Sequence, residues 1–193
     1  MTLRRAMRLV SGLAVGSALL AGGISPSREP PTVQPNPNTH RAGVLHGAVL
    51  SLALEAKQAR WQPDGPGRPA MTVAAFAEAG KPPLMPGPLV RAPQGTEIRL
   101  SMRNSLPTPL TFFVPVAVRG VPSMVAEDSV VVAPGAVGQL TTRAAVPGNY
   151  VYRAVSPSAS DKQTRIAGIL AGAIIIDTAG PAVATRDRVF VIM

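Results

Sequence analysis

The sequence predicts an all-β sandwich or barrel with Greek-key connections, and three observations predict it. Apolar and polar residues alternate with a period of two along several runs, the pattern of a half-buried strand. Pro-Gly pairs at Pro66-Gly67, Pro86-Gly87, Pro134-Gly135 and Pro147-Gly148 separate those runs, each joining a fixed φ to a residue that tolerates positive φ. The 193 residues are 46% hydrophobic but only 4% aromatic, with 21 prolines and 18 glycines, so the core must be aliphatic and turns frequent. That length makes one well-cored domain rather than two.

The chain opens on an address. Met1 to Arg8 is basic, and Leu9 to Ile24 is an uncharged apolar run, the n-region and h-region of an export signal. Ala21-Gly22-Gly23 offers small residues for cleavage; the alternative is that residues 1–24 stay as an N-terminal anchor, although a spanning helix needs about 20 apolar residues. Export to the periplasm, the exterior or the outer side of a membrane follows. Ser25 to Asn38 holds five prolines among Ser, Thr, Asn and Glu, and residues 25–42 are expected to form a disordered Pro-rich linker. The domain is expected over residues 43–193.

Within it, Leu50, Leu52, Leu54 and Ala56 alternate with Ser51, Glu55 and Lys57. Thr96 to Arg103 is cleaner: Ile98, Leu100 and Met102 face the core, and Glu97, Arg99, Ser101 and Arg103 face water. A helix would scatter these residues around its circumference. Further strands are predicted at Met71–Phe76, Pro88–Ala92, Leu110–Val118, Ser129–Val132, Val137–Ala144, Tyr150–Val155, Ala171–Asp177 and Val189–Ile192. Short strands at this spacing predict an antiparallel sandwich or barrel.

Composition also excludes functions. The net charge is +9, but beyond Arg4, Arg5 and Arg8 the basic residues fall singly, and few aromatics are present to stack on bases, so no nucleic-acid partner is expected. The absence of cysteine removes disulfides, zinc thiolates and any copper-thiolate centre from this chain. His40 and His46 are the two histidines.

The run from Pro86-Gly87-Pro88-Leu89-Val90-Arg91 through Thr96-Glu97-Ile98-Arg99-Leu100 to Arg103-Asn104-Ser105-Leu106 resembles the N-terminal plastocyanin-like domain of multicopper oxidases. The likeness continues through Val132-Ala133-Pro134-Gly135, Ala145 to Tyr152, Gly168 to Asp177 and Asp187 to Ile192. It implies a cupredoxin-like Greek-key fold. It also implies copper as the cofactor and dioxygen reduction as the activity. In that family the first domain gives two His-x-His pairs to a trinuclear cluster, and a later domain supplies the remaining ligands.

Those pairs are missing here. Where the first would fall, after Thr111, the chain reads Phe112-Phe113-Val114-Pro115-Val116; where the second would fall it reads Arg153-Ala154-Val155. Phe113, Pro115, Arg153 and Val155 are the degenerate ligand positions, the first pair placed to within one residue. Phe, Pro and Val have no lone pair to offer, and Arg stays protonated, so no copper is expected on this chain.

No other constellation substitutes. His40 and His46 are neither on alternate strand positions nor one helical turn apart, and read as solvent-exposed. Met71, Met85, Met102 and Met124 are scattered and read as packing. Glu127 or Asp128 is expected to pair with Arg119 or Arg153, and Trp61 suits a domain edge. Ser156 to Ser160, with Asp161 and Lys162, lacks a general base and reads as a mobile connection. Three functional expectations follow: a non-catalytic structural or interaction domain with no catalytic residues of its own; an N-terminal piece of a larger copper oxidase, since Met193 falls where the family runs on; or an exported protein that holds copper weakly through Met or His. Partners are expected to be a downstream cupredoxin domain or a second copy.

Overall fold

The computed structural model describes residues 29–117, 125–156, 170–178 and 189. The expected signal segment and most of the predicted strand Val189–Ile192 lie outside these residues. Among the described residues twelve strands form: β1 (Gln34–Pro35), β2 (Val44–His46), β3 (Val49–Trp61), β4 (Met71–Glu78), β5 (Pro83–Met85), β6 (Gly87–Pro93), β7 (Glu97–Asn104), β8 (Leu110–Ala117), β9 (Val125–Val132), β10 (Val137–Arg143), β11 (Gly148–Val155) and β12 (Leu170–Asp177). They make two sheets, β1-β5-β4-β3-β7-β10 with β2 beside β3, and β6-β12-β11-β8-β9. The predicted antiparallel sandwich needs one correction. Both sheets are mixed, because β1 with β5, β3 with β7, and β6 with β12 run parallel. Such pairings join strands distant in sequence, which alternation does not reveal.

The alternation itself holds. Leu50, Leu52, Leu54 and Ala56 of β3 and Ile98, Leu100 and Met102 of β7 are buried, and meet Phe112 and Val114 of β8 and Ile174 and Ile176 of β12 in one core. β3 runs on to Trp61, further than its leucines suggest. Phe76, Phe112 and Tyr152 meet at the centre, with ring centroids 5.3 to 6.2 Å apart in tilted and edge-on contacts that aromatic quadrupoles favour.

Tyr152 fills space that two glycines leave open. It is paired with Gly172, and Gly172 with Gly87, so the three lie in one row across β11, β12 and β6. A Cβ on Gly172 would come within 2.3 Å of the Tyr152 ring, and one on Gly87 within 2.8 Å of its hydroxyl. That hydroxyl donates to Pro88 O at 2.6 Å, and burial raises its pKa well above the ordinary value, keeping it a donor. Pro86-Gly87 is thus not the positive-φ corner predicted: Gly87 opens β6 and is needed for room. Gly67 and Gly135 do take positive φ, as the turn reading requires.

Polar anchors fix the strand ends. Buried Asn104, closing β7, donates from Nδ2 to Thr108 O at 2.8 Å and Val132 O at 2.9 Å, and its Oδ1 accepts from Leu106 N at 3.0 Å. Glu55 accepts from Ser105 Oγ at 2.7 Å and pairs with Lys57 at 2.7 Å. Burial raises its carboxyl pKa, but the Lys57 and Ser105 donors outweigh burial and the net shift is downward.

The linker reading of residues 25–42 is corrected from Pro31 onward. Thr32 bridges Arg60 on β3, β1 pairs β5, and Val33 is buried with Ala59, Val73 and Ala75, against which Trp61 and Met85 pack. Asn36 donates to Gly87 O at 2.9 Å and Asn38 to Val189 O at 3.1 Å. Proline suits such a strap, because a strand that borders a sheet has no need of every N–H. Trp61 therefore sits against a small satellite core.

Three outcomes test this packing. Gly172→Ala should cost about 1–3 kcal/mol in chemical denaturation, through overpacking against Tyr152. Val33→Asp should red-shift the emission of Trp61, the one tryptophan, while far-UV circular dichroism stays that of a β protein. Glu55→Gln should lower stability near neutral pH; because the folded pKa is depressed, the difference from wild type should vanish as pH falls through it.

Candidate functional site

The four positions that the resemblance marks as ligand sites come together on one face. β8 and β11 pair antiparallel with Phe113 opposite Arg153 and Thr111 opposite Val155. Directly opposed residues share a face, and alternate residues on one strand share it too. Phe112, Val114, Tyr152 and Ala154 belong to the core, so Phe113, Pro115, Arg153 and Val155 all lie on the outer face of the sheet. Their neighbours Phe112 and Val114 point inward.

Arg153 organises the face. Its guanidinium carbon sits 4.1 Å from the centroid of the Phe113 ring, a cation–π contact. Its Nη2 donates to Glu127 Oε2 at 2.7 Å, both side chains partly exposed. Glu127 is placed by β9, where it opposes Pro115. Of the pairings predicted, Glu127 with Arg153 forms; Arg119 lies outside the described residues, and Asp128 instead accepts from Ser129 N at 2.8 Å. Pro115 O accepts from Thr142 Oγ1 at 2.8 Å, tying this face's β8 to β10 of the other sheet.

Copper does not fit this arrangement. Coordination needs neutral nitrogen, thiolate or thioether donors converging on a point. The face offers an aromatic ring, a proline, a valine and a guanidinium whose positive charge repels a metal cation. Among the described residues no group of three or more His, Cys, Asp or Glu stands ready to hold a metal. His40 Nδ1 lies 2.9 Å from Thr39 Oγ1, and His46 is on β2; both are exposed. Met102 is core, Met85 packs beside Trp61, and Met71 is half-exposed opposite Trp61; Met124 lies outside the described residues. Ser156 Oγ lies 3.3 Å from Thr108 Oγ1, and the rest of the serine loop is outside the described residues.

Sequence reasoning placed this face by likeness alone, and it missed how the site is assembled. The Arg153–Phe113 stack and the choice of Glu127 depend on the registers of β8, β9 and β11, which no local pattern encodes. Replacing Arg153 by alanine should cost about 1 kcal/mol or less in denaturant unfolding, as expected of a half-exposed ion pair and stack. A larger loss would assign Arg153 to the core framework.

Comparison with known proteins bears on the fold. No family model matches the chain, and no curated protein matches it in sequence. In structure it is similar to Lac15 from a marine microbial metagenome, at 23% identity and a TM-score of 0.51, over 68% of this chain and 33% of that one. It is also similar to the multicopper oxidase from Campylobacter jejuni, described as a metallo-oxidase, at 16% identity and a TM-score of 0.51, over 79% of this chain and 31% of that one. The chain therefore spans about a third of the length of these proteins. Two mixed sheets packed around an aliphatic core, in the arrangement of one unit of a multicopper oxidase, give this chain the cupredoxin-like fold.

Proposed function

We propose that this protein is an exported cupredoxin-like domain whose ligand face has lost copper and acts as a structural or interaction module, without oxidase activity of its own. The observation that carries the reading is Arg153 stacked on Phe113 and paired to Glu127, at the positions where the family resemblance implies histidines. A fixed cation held by an aromatic ring and a carboxylate leaves neither the donors nor the charge balance that a copper ion requires. The parity of β8 and β11 supports the assignment, since the four positions share one face as two His-x-His pairs would. The framework around them is intact, so these side chains have been exchanged on a retained scaffold.

A second reading is favoured by length. The chain spans about a third of its structural neighbours, so the unit fits the first part of a larger copper oxidase whose metal is held by another domain. Reading the gene past the codon for Met193 tests it: a following domain with a cysteine and His-x-His pairs supports it, and an immediate stop codon refutes it.

The direct test of the first reading is metal titration. Purified protein incubated with Cu(II), and separately with Cu(I), should retain well below one equivalent after gel filtration. The quadruple variant Phe113→His, Pro115→His, Arg153→His, Val155→His should gain Cu(II) affinity by at least about tenfold, because paired imidazoles on alternate strand positions aim at one point. Stoichiometric copper on the unaltered protein would refute the reading.

A further inference from the structure

A gap in strand pairing on the other sheet builds a groove. One edge of β3 pairs with β2 over residues 49–51 and with β4 over residues 54–61. Leu52 and Ala53 are left between the two partners. Gly43, just before β2, and Glu78 and Ala79, at the end of β4, border this gap, which opens into a cavity of about 460 Å³ against β3, β7 and β10. That volume is in the range of small-molecule sites.

Strand register explains the shape. Ser51, Arg99 and Thr141 form one row across the three strands, and Ala53, Ser101 and Gln139 form the next. Leu50, Leu52, Leu100 and Met102 between them are core, so the alternate residues face outward. Alanine and serine make a low floor, and the longer Arg99 and Gln139 rise beside it.

The lining selects a ligand by its uncharged groups. Among the described residues, no hydrogen bond to the protein engages the side chains of Ser51, Ser101, Thr141 or Gln139. Hydroxyl and amide groups both donate and accept, and they match ligand hydroxyls, which do the same. The charges at the border are balanced within the chain, Arg99 by Glu97 at 2.6 Å and Glu78 by Lys81 at 2.8 Å, so they do not call for an ion. Arg99 makes its pair through Nε, which leaves its Nη groups as donors to a ligand oxygen. Val44 of the lining is 70% exposed and offers an apolar contact to the C–H face of a sugar ring. Serine and threonine lose little rotamer freedom on binding, and ligand hydroxyls can reproduce the bonds of the waters they displace.

We propose that this groove binds a short neutral saccharide, its hydroxyls held by Ser51, Ser101, Thr141 and Gln139 and a ring face set on Val44. The groove is on the sheet opposite Arg153, so the inference is independent of whether that face holds copper.

Two-dimensional 1H–15N NMR of the exported protein tests it, with cellobiose, maltose, lactose and N,N′-diacetylchitobiose each titrated to about 20 mM, well past a millimolar dissociation constant. The expected result is saturable binding of at least one of them, with shifts centred on the amides of Ser51, Ser101 and Gln139. Ala53→Leu, which fills the floor, should weaken that binding at least about tenfold with unchanged circular dichroism. Ser101→Val should bind about fivefold more weakly than Ser101→Thr, because the two share a shape and only threonine keeps the hydroxyl. Failure of all four sugars to bind would overturn the proposal, as would shifts confined to other surfaces or equal binding by Ser101→Val and Ser101→Thr. Glucuronate bound more tightly than glucose would overturn it too, by showing that charge selects the ligand.

Discussion

The buried row Tyr152, Gly172, Gly87 is the constraint on which the rest of the structure depends. The ring of Tyr152 lies where two glycines leave room, and its hydroxyl is held by Pro88 O at 2.6 Å. A slip of one residue in β11 would put Arg153 into the core and the tyrosine outside, an exchange that burial of an unpaired guanidinium forbids. The inward tyrosine therefore fixes Arg153 and Val155 as outward. Through the β8 register it sets Phe113 beneath the guanidinium.

From that parity the chemistry of the face follows. Phe113, Pro115, Arg153 and Val155, the positions where the resemblance implies two His-x-His pairs, are presented together on one face of the sheet. They carry groups that satisfy one another. The guanidinium supplies the positive charge, the phenyl ring and Glu127 hold it, and valines surround it. Aliphatic packing and Asn104 maintain the scaffold, whatever the outer face displays.

What could be read from the sequence was whatever depends on near neighbours. Ile98, Leu100 and Met102 announced β7, and Leu50 to Ala56 announced β3, because alternation is a local property. The parallel partnerships of β3 with β7 and β6 with β12 were illegible because they join distant segments. Residues 31–36 were misread because their prolines outweighed one valine, yet Val33 has a pocket waiting between Ala59, Val73 and Ala75. Gly87 read as a turn because Pro-Gly usually is one, whereas its role lies in a ring sixty-five positions away. The likeness assigned the first ligand pair only to within one residue; in the structure Phe112 and Val114 are core, and Phe113 and Pro115 share the outer face with Arg153 and Val155.

The most direct test of a retained scaffold with exchanged ligands is a crystal structure of the protein grown with Cu(II), with anomalous data collected at the copper absorption edge. The account predicts Arg153 over the Phe113 ring, in contact with Glu127, and no anomalous peak on the outer face of β8 and β11. A copper peak coordinated by side chains of those strands, or a β11 register that turns Arg153 inward, would contradict it.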